Sequence, residues 1–350
     1  MRIKKYGLLL ICLICLSLVV VGCGGQESSP AETEATEKND SKDAAGGEKV
    51  VLKVGHINAP DHPWNIALEG FAEDVLEATD GNVEIQIFPS SQLGGERDMA
   101  EGLKLGTLEM GLFGTGALQS LDERLIVEEL PYAWSVRENA YEALDGELGD
   151  ALNEILKGHS IVGISYWESG YRHITNNVRP INSLEDLKGM KLRVPEAEMR
   201  IDTFKELGAL PTPLAFSEVF TALQQGTVDG QENPLATISA SKFNEVQDYL
   251  TISGHIWGSA LLGISEQAWN SLSPEYQEII KEKADVWKEK EREMIRKGEE
   301  ELVEEMKAAG MEVTEPDVEE FKKAVEPVWT KYEDVLGKDL VDIVRKYSNK

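Results

Sequence analysis

Cysteine is nearly missing from this 350-residue chain, and where it is missing decides a good deal. The three cysteines are Cys12, Cys15 and Cys23, so nothing after Cys23 can form a disulfide, act as a thiol nucleophile or bind a metal through sulfur. Histidine is scarce as well. His56, His62, His159, His173 and His255 show no metal-ligand spacing, and each reads as an ordinary packed or surface residue. No Gly-x-Ser-x-Gly, His-Glu-x-x-His or P-loop occurs, and Gly114-Thr115-Gly116 lacks the rest of a dinucleotide fingerprint. No enzyme, metal or cofactor is expected. Positive charge is the other shortage: 35 Lys and Arg stand against 63 Asp and Glu, a net charge of −28. Such a field excludes nucleic acid and anionic membrane surfaces as partners. An anionic ligand would need a local basic pocket working against the global charge.

What is present begins at the N-terminus. Arg2, Lys4 and Lys5 precede an apolar run from Gly7 to Val21, about 15 residues, short of the roughly 20 that span a bilayer. Residues 1–22 therefore read as a signal peptide. Val20-Val21-Gly22-Cys23 resembles the lipobox of bacterial lipoproteins, which implies cleavage after Gly22 and lipid on Cys23. Two acyl chains on Cys23 would give stable attachment to a membrane, outside the cytoplasm. The segment from Gln26 to Glu48 has no Val, Leu, Ile or aromatic residue and cannot bury enough to fold. As a random coil it would reach roughly 25–30 Å, so residues 23–48 are expected to be a disordered tether.

The remainder, from Lys49, is too long for one core and suggests two lobes. Val50–His56 alternates as a strand, Trp64–Ala78 has helical spacing, and Val83–Phe88 alternates again. Glu96–Leu105 is a helix closed by Gly106, and Leu108–Phe113 a buried strand. The same alternation through Glu138–Lys157 and Ile161–Tyr166 predicts an α/β fold with parallel strands and covering helices. Leu103–Glu109 is echoed chemically by Leu223–Asp229, each a helix end running through Gly-Thr into a strand. Two lobes of one design would present such strand ends to a shared cleft.

Lys188–Leu235 carries the functional signal. Leu192 and Val194 point one way while Lys191 and Arg193 point the other, and Pro195 stops the strand with an arginine at its end. Ser217 can cap a helix with Val219, Phe220 and Leu223 on one face, closed by Gly226. A strand from Val228 then delivers Gln231, Glu232 and Asn233 before Pro234. A guanidinium matches a carboxylate with parallel N–H donors and stays charged, which suits a desolvated anion.

The segments LKGMKLRVPEAEM, GALPTPLAFSEVFTALQQGTVDGQENPLATI and KFNEVQDYLTISGH resemble the solute-binding proteins of the tripartite ATP-independent periplasmic (TRAP) transporters, the DctP-type family. The resemblance runs from about Val51 to the C-terminal helices. It implies a two-lobed periplasmic-binding-protein-like fold with a cleft between the lobes. It also implies an organic acid ligand, a C4-dicarboxylate or a sugar acid, handed by a monomeric receptor to the small and large TRAP membrane subunits. By resemblance Arg193 is the carboxylate clamp, Arg172 in Tyr166–Thr175 a second cationic contact, Asn233 a hydrogen-bonding partner and Phe216 a wall. Glu96 and Trp64 fall where the first lobe closes on the ligand's far end. Each also has a plain reading, Trp64 as a packed aromatic and Glu96 as an acid favouring its helix N-terminus. Gly114 stands where some relatives place a further polar side chain.

Ser273-Pro274 opens a helical pattern to Ala309, on the order of 54 Å if continuous. It must bridge both lobes, kink at Gly298, or be two helices; the resemblance implies bridging. The expected lobes are residues 49–169 with 259–298, and 170–258 with 299–350. A lipid-anchored sensor presenting the same solute to a membrane receptor is the competing reading.

Overall fold

The computed structural model describes residues 49–350. The expected signal peptide, the lipidation of Cys23 and the tether lie outside the described residues. Ten strands follow in order: β1 Val50–Gly55, β2 Val83–Phe88, β3 Met110–Gly114, β4 Ile161–Asn176, β5 Lys191–Val194, β6 Leu210–Pro213, β7 Gly230–Pro234, β8 Tyr249–Thr251, β9 Trp257–Ser265 and β10 Glu312–Thr314.

In β1 the alternation expected of a strand with one buried face is realised, with Leu52 and Val54 inside and Val51 and Lys53 out. The helix Pro63–Ala78 crosses from β1 to β2, which pairs with it in parallel. On the other side β1 pairs in parallel with β3, reached through the helix Glu96–Leu105. β9 and then β4 complete this first sheet antiparallel, in the order β2-β1-β3-β9-β4. The second sheet repeats the scheme: β5 is flanked in parallel by β6 and β7, and β7 lies antiparallel to β4. β8 and β10 extend it beyond β4.

β4 belongs to both sheets. Ile161–Tyr171 pair with β9, and Arg172–Asn176 pair with β7. Just before the changeover the ladder with β9 slips at Glu168/Gly170, where Gly170 takes φ +106, a backbone region closed to most side chains.

The echo between Leu103–Glu109 and Leu223–Asp229 is structural. Gly106 and Gly226 adopt φ +70 and +66, and the next amides, Thr107 and Thr227, turn back to Gly102 O and Ala222 O at 2.9 Å in both cases. That turn spends the residues expected to open the strands, so β3 and β7 start two residues later than Leu108 and Val228. Ser217 does not cap a helix: a 3₁₀ turn at Phe216–Glu218 leads into Val219–Gln224, with no side-chain cap.

Pro274–Ala308 is one helix of 35 residues, unbroken at Gly298, so the two-helix reading does not hold. Ser273 Oγ accepts from Tyr276 N at 3.2 Å and Pro274 occupies the first turn. At about 1.5 Å per residue the helix is long enough to serve both sheets. Its first half packs Ile280 and Ala284 into the core holding Trp64, Phe71 and Leu262, and its last turns put Met306 into the core of Val219, Leu250 and Phe243. Trp287 sits so close over Gly70 that a Cβ there would meet the ring at 2.0 Å, while its Nε1 donates to Asp74 at 2.7 Å. Three helices, Glu319–Ala324, Glu326–Leu336 and Lys338–Ser348, close the chain.

Candidate ligand-binding site

Arg193 comes off the end of β5, beside Gln231 in the β7 register, and is 3% exposed. Its Nε and Nη2 donate to Leu214 O at 3.0 and 2.7 Å, and its Nη1 is buried without a hydrogen-bond partner among the described residues. The guanidinium lies 5.9 Å from the centre of the Phe216 ring. Arg172 leaves β4 where that strand changes sheets. Its Nε donates to Glu232 Oε2 at 2.5 Å, and its Nη2 reaches Glu232 Oε1 at 2.9 Å and Asn233 Oδ1 at 3.0 Å.

These groups line a cavity of about 390 Å³ between the two sheets. All six residues expected from the sequence meet there: Trp64 and Glu96 from the first sheet's side, Arg172, Arg193, Phe216 and Asn233 from the second's. They are not equivalent. Trp64 donates its indole N–H to Glu168 O at 2.7 Å and is packed in the core as well as lining the cavity. Glu96 accepts from Gly114 N at 2.9 Å across the mouth of β3. Asn233 supports Arg172 through Oδ1 and donates from Nδ2 to Gln231 Oε1 at 2.5 Å. Arg172 is thus an arginine already matched by a carboxylate, and Arg193 is one that is not.

Sequence reasoning missed Arg200, a third buried arginine in the same wall. It lies in the first turn of the helix Glu198–Glu206 that follows the LRVP strand, and that proximity was the available signal. Its acidic partner Glu129, from the 3₁₀ segment Glu123–Glu129, carried no signal at all.

The electrostatics follow from these pairings. Burial alone would raise the Glu232 carboxyl, but Arg172, the His255 hydrogen bond and Arg200 outweigh it and hold Glu232 below the usual carboxylate range. Burial, only partly offset by Glu232 and reinforced by the neighbouring arginines, brings Arg193 down to about 10, which still leaves it charged at neutral pH. Glu96 is raised, because desolvation exceeds the lowering by the Gly114 N–H and the arginines. A carboxylate brought to Arg193 Nη1 would therefore meet a charged, desolvated donor, with an acid of weakened acidity across the cavity.

A two-sheet α/β protein crossed by one long helix, with buried arginines lining a cavity between the sheets, has the form of a solute-binding protein. Residues 54–334 match the family described as bacterial extracellular solute-binding protein, family 7 (DctP), and the chain belongs to that family. A solute-binding protein of Roseobacter denitrificans is 38% identical over 72% of this chain and 77% of its own length. The 2,3-diketo-L-gulonate-binding periplasmic protein of Escherichia coli is 32% identical over 78% of this chain and 84% of its own. The sugar acid binding protein DctPAm from Advenella mimigardefordensis, solved in complex with galactonate, superposes with a TM-score of 0.84 at 33% identity, covering 86% of this chain and 98% of that one. The family is one of transport solute-binding proteins, not of enzymes, and it implies a TRAP permease as partner. Among the described residues no helix is long and apolar enough to cross a membrane.

Proposed function

We propose that this TRAP solute-binding protein captures a sugar acid, with one carboxylate held by Arg193 and hydroxyls directed towards Glu96. The observation that carries this reading is the buried Nη1 of Arg193, a charged donor without a partner among the described residues, on a side chain that lines the cavity. A desolvated donor left unmade is costly, and a carboxylate is the acceptor that repays it best. On the far side Glu96 and Asp98 outnumber the single cation Arg97, and this net negative charge argues for the sugar acid over the C4-dicarboxylate. A second carboxylate would lie towards Glu96 and Asp98, whereas a hydroxyl can donate to them. About 390 Å³ is within the ordinary range of small-ligand sites. The galactonate carried by DctPAm is a ligand of the proposed kind.

Capture takes place by closure of two lobes, residues 49–169 with 259–298 and residues 170–258 with 299–350. The ligand docks on Arg193 and Arg172 and contacts from the first lobe form only on closing, so ligand shifts the population towards the closed form. The permease reads that form. The receptor acts as a monomer, tethered to the outer face of the cell membrane by lipid on Cys23.

A thermal-shift screen over organic acids tests the ligand class. A ligand at 100 times its dissociation constant adds about 2.7 kcal/mol to stability. Galactonate or a related hexonate should raise the melting temperature, and succinate should do so less. Stronger stabilisation by succinate than by every sugar acid would overturn the choice.

A further inference from the structure

Arg200 lines the cavity, yet each of its nitrogens faces a protein carboxylate. Nε and Nη2 grip Glu129 Oε2 and Oε1 at 2.9 and 2.5 Å, and Nη1 lies 3.5 Å from Glu232 Oε1. The two ends of this bidentate pair belong to different halves of the protein. Arg200 rides on the helix that follows β5, in the second sheet. Glu129 is fixed to the first: its Oε1 accepts from Gly116 N at 3.1 Å, in the turn that follows β3, and it lies against Gly258 of β9. Two glycines make room for the pair. A Cβ on Gly116 would come within 2.8 Å of Glu129 Oε2 and 2.9 Å of Arg200 Nη2, and one on Gly258 within 3.2 Å of Glu129 Oε1.

We propose that Arg200 is a positioning residue for ligand retention: it clasps the two halves together through Glu129 and steadies Arg172 through Glu232, without itself touching the ligand. Separating the sheets breaks the pair and exposes both charges to water, so the clasp forms whenever the sheets come together as here, in unliganded protein as well as around a ligand. Its contribution falls on how long the ligand stays, because escape requires opening, whereas encounter does not. This rests on the cavity being the ligand site.

Three variants of the full chain test it: Arg200→Met, which removes the clasp, Arg200→Lys, which keeps the charge but not the fork, and Gly116→Ala, which wedges the pair apart and leaves both charges in place. With galactonate as probe, stopped-flow fluorescence should show Arg200→Met and Gly116→Ala releasing ligand ten- to a hundredfold faster, with association within threefold of wild type. Arg200→Lys should fall between. Hydrogen exchange at residues 115–117 reads the clasp in unliganded protein, where Arg200→Met should exchange about tenfold faster. Unchanged exchange, or release within threefold of wild type in folded variants, overturns the clasp. Should wild type itself bind no sugar acid, the ligand assignment fails, and hydrogen exchange alone still decides whether the clasp exists. If Arg200→Met fails to fold, the decision passes to Gly116→Ala.

Discussion

Arg172 donates from Nε and Nη2 to both carboxylate oxygens of Glu232, at 2.5 and 2.9 Å, and both residues are buried. Glu232 also meets His255 Nε2 at 3.1 Å, so one carboxylate organises the floor beneath the cavity. Removing one member of a buried pair leaves the other charge uncompensated, at a cost of about 3–5 kcal/mol. Glu232→Gln should therefore lower the unfolding free energy by that amount in urea titration. A loss under about 1 kcal/mol would mean that Arg172 finds other partners.

Glu128 supplies a pH dependence. Its Oε1 accepts from Thr115 Oγ1 at 2.5 Å and from Ser259 N and Oγ at 2.9 and 2.7 Å. Burial nevertheless raises its carboxyl to about 7, those hydrogen bonds opposing and Glu129 adding to the rise. The folded state thus keeps this proton through a window, from about 4.5 to 7, in which the unfolded chain has lost it. The contribution of Glu128 to stability is full below that window and declines as pH rises through it, by on the order of 3 kcal/mol. Buried His56 and His62, lowered to about 4 and about 3, act in the opposite sense, since their stabilisation is lost as pH falls. The difference between wild type and Glu128→Gln isolates the carboxyl. That difference should change between pH 4.5 and 7 in the direction of wild type losing stability relative to the variant, and a constant difference would contradict the assignment.

Gly298 lies inside an unbroken helix, and a Cβ there would meet only Leu302 Cδ1, at 3.8 Å. Gly298→Ala should accordingly stabilise the protein by about 1 kcal/mol, measured as a shift in the denaturation midpoint. Destabilisation would show that the helix needs a weak point there.

Much of the architecture was legible because it rests on local patterns. The Gly106-Thr107 and Gly226-Thr227 helix ends are read directly from residue type, and their matched hydrogen bonds follow from glycine's access to positive φ. Ser273-Pro274 announced the long helix, but whether it broke at Gly298 depended on tertiary packing that spacing does not encode. Arg193 could be singled out because Pro195 ends its strand. The pairing of Arg172 with Glu232 and of Arg200 with Glu129 could not, since their partners lie 60 and 71 residues away and charge on a sequence carries no address.

Cys23 is the test of anchoring. Cys23→Ser should leave a folded, ligand-competent protein that carries no lipid. Intact-mass analysis of the wild-type protein isolated from its native membrane should show a diacylglyceryl adduct on Cys23, and an unmodified cysteine would sink the anchor.

The carboxylate clamp is tested most directly by calorimetric titration of Arg193→Ala with galactonate. Arg193 makes no ion pair among the described residues, so the fold should survive its removal while a bound carboxylate loses its main partner. A loss of roughly 2–5 kcal/mol corresponds to a 30- to several-thousand-fold weaker dissociation constant. Arg193→Lys, charged but without the planar fork, should fall between the two. Binding of Arg193→Ala within threefold of a folded wild type would contradict the clamp.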